Sequence, residues 1–233
     1  MKYNNIVTGR FISRPNRFIA NVEINGQVEV CHVKNTGRCK ELLVPGSLLF
    51  LEYIDSPSRK TNYDVIGVDK QGTLINMDSQ IPNKVVYEWI KEGNLFSEHA
   101  RLRPETTFGK SRFDLYVEDG ERKAYIEVKG VTLEQDGIAR FPDAPTVRGV
   151  KHIRELCECI RQGYEAYIIF VIQMKGVHRF EPNWQTQKAF GDALSEAKAE
   201  GVKILAYDCA VTEDSIVMDQ PVPLVLEEGE EKC

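Results

Sequence analysis

A chain of 233 residues, 42% hydrophobic and 28% charged, is long enough to bury one large core or two ordinary ones. Its longest apolar runs, such as Tyr167 to Ile172, are strand-sized and far short of the roughly 20 residues of a membrane-spanning helix, so no membrane partner is expected. A formal net charge of −5 argues against holding nucleic acid by bulk charge alone. The run from Met1 reaches Thr8, Gly9 and Arg10 before an apolar segment develops, which does not read as a secretory leader and makes the cytoplasm the expected location. The six cysteines, at 31, 39, 157, 159, 209 and 233, lack a C-x-x-C pair or a histidine at zinc-ligand spacing and read as free thiols.

From Asn5 to Asp78 the chain is a series of short alternating, β-branched segments punctuated by turn residues. Segments 18–24 and 27–34 flank Asn25-Gly26, a hairpin signal because both turn positions take positive φ. Strands follow over 48–54, 63–68 and 73–77, with Pro45-Gly46 and Gln71-Gly72 as turns and one brief helix near 36–43. About five strands in so short a stretch predict a small barrel such as an OB-fold, with other small β-barrels as alternatives. Charge here is local: residues 1–40 hold seven basic side chains (Lys2, Arg10, Arg14, Arg17, Lys34, Arg38, Lys40) against Glu23 and Glu29, while Glu227, Glu228, Glu230 and Glu231 form an acidic tail that reads as a solvated end.

At Ile81-Pro82-Asn83 the texture changes. Val85, Val86, Trp89 and Ile90 stand at helical spacing, with Asn83 as the predicted N-cap and Gly93 as the stop. The boundary is placed here, between an OB-fold-like nucleic-acid-binding domain over 1–82 and a second domain over 83–233. Strands are predicted over 112–117 and 124–131, with an extended piece at 138–141 and a helix over 146–162. A buried strand at 166–172, a helix over 185–200 and a strand over 202–207 complete the order. Such a mixture fits an α/β domain better than a regular βαβ series.

The chemistry concentrates in two adjacent strands, Ser111-Arg112-Phe113-Asp114-Leu115-Tyr116-Val117 and Ala124-Tyr125-Ile126-Glu127-Val128-Lys129-Gly130. If Asp119-Gly120 closes the hairpin, Val117 pairs with Arg122 and Asp114 with Tyr125, and alternation places Asp114, Glu127 and Lys129 on one face. Asp114 and Glu127 become diagonal neighbours, with Cβ atoms roughly 7 Å apart, close enough to share one ion. Phe113, Leu115, Ile126 and Val128 fall on the other face. Two carboxylates and an ammonium gathered beside apolar surface are costly unless a hard cation or an anionic substrate uses them. Phosphodiester hydrolysis supplies that use: Mg²⁺ or Mn²⁺ held by Asp114 and Glu127 activates water, and Lys129 contacts the phosphate or orients the nucleophile. The competing reading is an exposed hairpin face with ordinary charges.

A strand with Asp followed by a strand with Glu-x-Lys in this element order resembles the PD-(D/E)XK nuclease superfamily. Longer strings extend the likeness: Asn35-Thr36-Gly37-Arg38, Phe108-Gly109-Lys110-Ser111-Arg112-Phe113-Asp114, Glu127 to Leu133, Phe141-Pro142-Asp143-Ala144, and Thr146 to Leu156. Together they resemble the sugar fermentation stimulation protein A family over essentially the whole chain. The resemblance implies two domains, an N-terminal all-β OB-fold and a C-terminal α/β PD-(D/E)XK nuclease-like domain, with DNA as partner and a regulatory link to sugar (maltose-type) use. It also implies a further metal-site carboxylate from the first helix, for which Glu88 is the candidate by position, with Glu98 and Glu105 as competitors.

Arg148, Lys151 and His152 open the helix after the third strand, and a basic first turn opposing the helix dipole suggests a phosphate partner. Arg148 and Lys151 are assigned to DNA, against a reading as solvated helix residues that weighs more for His152, since lone histidines are often structural. Arg14 and Arg17 flank Pro15-Asn16, and Asn35, Arg38 and Lys40 form a second basic loop; these residues and Arg112 complete the expected DNA contacts. Phe11, Phe18, Phe50 and Tyr53 read as core. Two functions follow: a DNA-binding protein that cleaves phosphodiesters with a metal, or a non-catalytic, largely sequence-nonspecific DNA-binding regulator. No oligomeric state follows from the pattern.

Overall fold

Alternating burial along the first strands curls them into a closed barrel. The computed structural model describes residues 1–35 and 37–228. Strands β1 (Ile6–Asn16), β2 (Ile19–Ile24), β3 (Gln27–Val33), β4 (Leu48–Tyr53), β5 (Tyr63–Lys70) and β6 (Thr73–Asn76) pair in the order β3-β2-β1-β4-β5-β6, and β3 also pairs in parallel with β5. The β2–β3 hairpin turns at Asn25 and Gly26, both at positive φ as expected. The sequence pattern conceals β1, whose apolar run is interrupted by Gly9 and Pro15. A Cβ on Gly9 would meet Val22 Cγ1 at 2.5 Å and the Glu23 carbonyl at 2.9 Å, so glycine permits the close approach of β2. Two register shifts between Phe11 and Asn16 then bend the strand.

No helix forms over 36–43 among the described residues. The N–H groups of Leu42 and Leu43 both donate to the Cys39 carbonyl, a single turn that buries both leucines. Thr36 lies outside the described residues, as do Glu230 and Glu231 of the acidic tail.

The second half begins with α1 (Pro82–Lys91). Its N-cap is Ile81 rather than Asn83, because Pro82 takes the first helical position, where its missing N–H costs nothing. Gly93, at φ 88, ends it as expected. There follow β7 (Arg101–Phe108), β8 (Ser111–Asp119), β9 (Arg122–Val131), β10 (Leu133–Gln135), β11 (Ile138–Phe141), α2 (Val147–Arg161), β12 (Glu165–Ile172), β13 (Arg179–Pro182), α3 (Trp184–Ala199), β14 (Lys203–Val211) and β15 (Ile216–Pro221). The main sheet runs β15-β14-β12-β9-β8-β7, with β9, β12 and β14 parallel and the others antiparallel to their neighbours; β10, β11 and β13 form a small sheet.

The main sheet is the middle of three layers. Val85, Val86 and Ile90 of α1 pack on one face with Leu115, Val117, Ile126, Val128 and Val171. On the other, Val150, Ile153 and Leu156 of α2 and Phe190 and Leu194 of α3 cover Tyr125, Ile168 and Phe170. Each such apolar side chain stabilises the fold by roughly 1.5–3 kcal/mol when fully buried. Among the described residues no helix is long and apolar enough to cross a membrane. Cys31, Cys39, Cys157, Cys159 and Cys209 are free and buried.

A buried polar junction joins the barrel to the sheet. The Gln173 amide donates to Asn76 Oδ1 at 2.9 Å and to the Asp78 carbonyl at 3.1 Å, and the Asn76 amide donates to the Tyr3 hydroxyl at 2.9 Å. Lys34 reaches Asp78 at 2.9 Å and Asp64 at 3.2 Å, both carboxylates being fully buried. Gly130 makes room for this junction: a Cβ there would lie 2.6 Å from Gln173 Oε1 and 2.7 Å from Pro82 Cγ.

Candidate metal centre and nucleic-acid interface

The β8–β9 hairpin closes one residue later than the Asp119-Gly120 turn predicted above. Gly120 and Glu121 form the turn, Asp119 pairs with Arg122, Val117 with Ala124 and Tyr116 with Tyr125. The register therefore moves by two residues, an even shift that leaves β9 side chains on their expected faces, and the paired residues stop at Leu115 and Ile126, one short of Asp114 and Glu127.

Strict alternation fails at Asp114. The Phe113 ring lies 5.6 Å from Tyr125 and 6.0 Å from His152 on the α2 side, whereas Leu115 belongs to the core beneath α1. Phe113 is thus not on the Leu115 face where alternation placed it. The β8–β9 ladder ends at Leu115 and Ile126, and the strands part. In this fork the Asp114 carboxylate takes over a backbone role: Oδ2 accepts the Val128 N–H at 2.8 Å, and Oδ1 accepts the Asn83 amide of α1 at 2.8 Å.

Glu127 lies on an inner strand, beside Ile168 of β12, and is only 2% exposed. Its Oε1 accepts from Lys129 Nζ and, at 2.6 Å, from His152 Nδ1. Its Oε2 is buried with no hydrogen-bond partner among the described residues. Burial works against the charged form of Glu127, but the His152 hydrogen bond and the Lys129 charge outweigh it and hold the carboxyl below its ordinary range. Asp114 moves the other way: burial and then the Glu127 charge raise it, against the Val128 N–H, Lys129 and Asn83. Two neighbouring carboxylates, one with an unpartnered buried oxygen, are an arrangement that a divalent cation fits, since it lowers the cost of both charges and fills the empty acceptor site. Among the described residues no three His, Cys, Asp or Glu side chains gather as a metal cluster, and Asp114 and Glu127 are the two carboxylates that interact here.

Glu88 is not part of this group. Its carboxylate pairs with the Met1 ammonium at 2.7 Å and stands 3.9 Å from Lys84; the α1 residue brought to Asp114 is Asn83. Helical geometry explains the correction: Asn83 is in the first turn, at the fork, and Glu88 more than a turn further on, near β15. Glu98 and Glu105 are exposed and pair with His99 and Arg112.

The basic residues divide into two kinds. Arg14 is a brace: Nη1 donates to the carbonyls of Gly37 and Arg38 at 2.9 and 2.8 Å, and Nη2 to those of Arg17 and Asn35, both at 2.7 Å. Asn35 is also internal, its Oδ1 accepting the Gly37 N–H. Arg38 ties this loop to the second half through the Asp143 carbonyl. Arg17 and Lys40 are exposed, and the Arg17 guanidinium lies 4.7 Å from the centre of the Phe18 ring. Phe18 is 44% exposed, so it is not core, unlike Phe11 and Phe50; Tyr53 is half-buried against Tyr63. Lys151 donates to the Lys110 carbonyl, which sets the exposed Lys110 and Arg112 beside the start of α2. Arg148 Nε lies 3.3 Å from His152 Nε2. His152 itself, 5% exposed, is the site residue that sequence reasoning set aside; its spacing of four from Arg148, within the apolar stripe of Val150, Ile153 and Leu156, was the available signal.

Comparison with known proteins places this geometry in a family context. Residues 80–215 match the sugar fermentation stimulation protein RE domain, and residues 12–77 match the SfsA N-terminal OB domain. The chain is 60% identical to a sugar fermentation stimulation protein homolog of Desulfitobacterium hafniense, over 98% of this chain and all of that one. It is also 60% identical to a homolog from Clostridium beijerinckii, over 97% of this chain and all of the relative. The solved structure of Pyrococcus furiosus SfsA in complex with Ca²⁺ is similar at a TM-score of 0.87 with 28% identity, covering 97% of this chain and 98% of that one.

Proposed function

Because the chain belongs to the sugar fermentation stimulation protein family, we propose from its site geometry that it binds DNA and cleaves phosphodiesters with a divalent cation, Mg²⁺ or Mn²⁺. The observation that carries the reading is Glu127 Oε2, a buried carboxylate oxygen without a partner next to Asp114 and Lys129. That the Pyrococcus furiosus relative was solved in complex with Ca²⁺ supports divalent-cation binding by this chain. When bound, the cation polarises a phosphoryl oxygen and lowers the pKa of a coordinated water.

The chain's own residues do the remaining work. Asp114 and Glu127 hold the cation, Asn83 and the Val128 N–H orient Asp114, and Lys129 supplies a fixed positive charge for the phosphate. The exposed cations Arg17, Lys40, Lys110, Arg112 and Lys151, with the outer nitrogens of Arg148, offer phosphate contacts from the barrel to the start of α2. Phe18, under Arg17, offers a base a stacking surface.

A second reading, a non-catalytic and largely sequence-nonspecific DNA-binding regulator of sugar metabolism, is supported by the family's sugar fermentation stimulation description and by exposed cations that need no metal to meet phosphates. The deciding experiment measures cleavage of single- and double-stranded DNA and RNA with Mg²⁺ and Mn²⁺, alongside DNA affinity, for wild type, Asp114→Asn and Lys129→Ala. Cleavage that falls at least about 100-fold in both variants, with DNA affinity retained, is expected. Wild type that binds DNA but cuts no substrate replaces the enzyme with the regulator, and variants that cut like wild type place the activity elsewhere.

A further inference from the structure

We infer that His152 is a positioning residue that selects which oxygen of Glu127 faces the cation, an inference that rests on the reading of Glu127 as a cation ligand. The cap of α2 sets the position of His152. Thr146 Oγ1 accepts the Gly149 N–H at 2.9 Å and starts the helix, and Gly149 lets it sit tightly, since a Cβ there would lie 2.7 Å from Thr146 Cγ2 and 3.2 Å from Phe190 Cε2. The helix then delivers the His152 ring to Glu127, with the Phe113 ring against its edge.

The two ring nitrogens have separate tasks. Arg148 can only donate, so its Nε, 3.3 Å from His152 Nε2, requires that nitrogen to accept. The ring proton is therefore on Nδ1, which lies 2.6 Å from Glu127 Oε1 and donates to it. With Lys129 on the same oxygen, Oε1 has two donors and Oε2 has none. A carboxylate free to rotate would exchange its oxygens; this one presents Oε2 alone. The chain Arg148–His152–Glu127 also joins a helix-start cation, exposed enough to meet a phosphate, to the carboxylate at the reacting centre.

The test uses the full-length protein and Ca²⁺ as probe, with binding measured by calorimetry for wild type, Glu127→Gln, His152→Leu and His152→Asn, and folding checked by circular dichroism. Glu127→Gln should abolish saturable binding. His152→Leu should weaken Ca²⁺ affinity by about 10- to 100-fold, the usual effect of losing a group that orients a ligand, and His152→Asn, which keeps an N–H near the Nδ1 position, should recover most of it. Long-range ¹H–¹⁵N spectra of the wild type, which need no variant to fold, should show the Nδ1-protonated tautomer. An Nε2-protonated ring, or His152→Leu binding Ca²⁺ like wild type while Glu127→Gln does not, overturns the role of His152. Glu127→Gln binding like wild type, or no saturable binding by wild type, overturns the underlying assignment of Glu127 instead.

Discussion

Replacing Arg14 by alanine separates a structural brace from a DNA contact. Its guanidinium donates to four carbonyls, of Gly37, Arg38, Arg17 and Asn35. Hydrogen bonds from a charged donor contribute about 1.5–3 kcal/mol each. The bonds to Gly37 and Asn35 are partly buried, and the other two are exposed, where water replaces the lost donor. Counting the two partly buried bonds at the lower figure, Arg14→Ala should destabilise the protein by about 3 kcal/mol. For a chain of this size that corresponds to a Tm lower by about 6–12 °C, measured by calorimetry or circular dichroism. Arg14→Lys should lose most of the same stability, because one ammonium cannot reproduce a planar fork. The slope of log K against log salt for DNA should stay at the wild-type value. A direct phosphate contact gives the opposite pattern, an unchanged Tm with a slope reduced by about 0.9, and that result refutes the brace.

Three other outcomes are expected. Lys34→Ala leaves two buried carboxylates, Asp64 and Asp78, without the ammonium between them and should lower the unfolding free energy by about 3 kcal/mol in urea titrations, the cost of breaking a buried ion pair. Glu165 is held below the ordinary carboxylate range, first by Arg122 and then by Lys203 and Tyr167 against burial. Its folded value is depressed, so its stabilisation is present above the unfolded value of about 4.3 and is lost as pH falls through the depressed one; Glu165→Gln should flatten the acid limb of the stability curve below about pH 4. Gly130→Ala drives a methyl group into Gln173 and Pro82 and should cost about 1–3 kcal/mol, read as a lower denaturation midpoint.

Much of the architecture was legible because it rests on local rules. Asn25-Gly26 marked its hairpin, the Val85–Ile90 stripe marked α1, and the uninterrupted run from Tyr167 to Ile172 marked a strand covered on both faces. Two missed elements, β1 and β7, have residues that contradict their state until a neighbour is present. β1 carries a glycine that only the approach of β2 explains, and β7 is an edge strand rich in charge and interrupted by Pro104. Asp114, Glu127 and Lys129 were singled out by strand parity, which holds for Glu127 and Lys129 despite a two-residue error in register but fails at Asp114, where the ladder stops. The fork at Asp114 was not legible, because it depends on where the β8–β9 ladder stops. Nor were the bonds of Arg14 to Gly37, Asn83 to Asp114 and His152 to Glu127, since each spans a stretch of chain that no local pattern records.

The junction of Asn76, Asp78 and Gln173 gives the barrel the character of a ruler. Chains usually cross between domains in an exposed, yielding linker. Here the crossing residues Met77, Asp78 and Ile81 are buried, and separating the halves after residue 82 would leave the amide of Gln173 without Asn76 Oδ1 and the Asp78 carbonyl. The two halves should unfold in one transition, with no separate melting of the barrel. On the proposed reading, the offset from a nucleic acid seated on Arg17 and Phe18 to Asp114 and Glu127 would be a fixed length, and cleavage would be expected a set number of nucleotides from the end that the barrel holds.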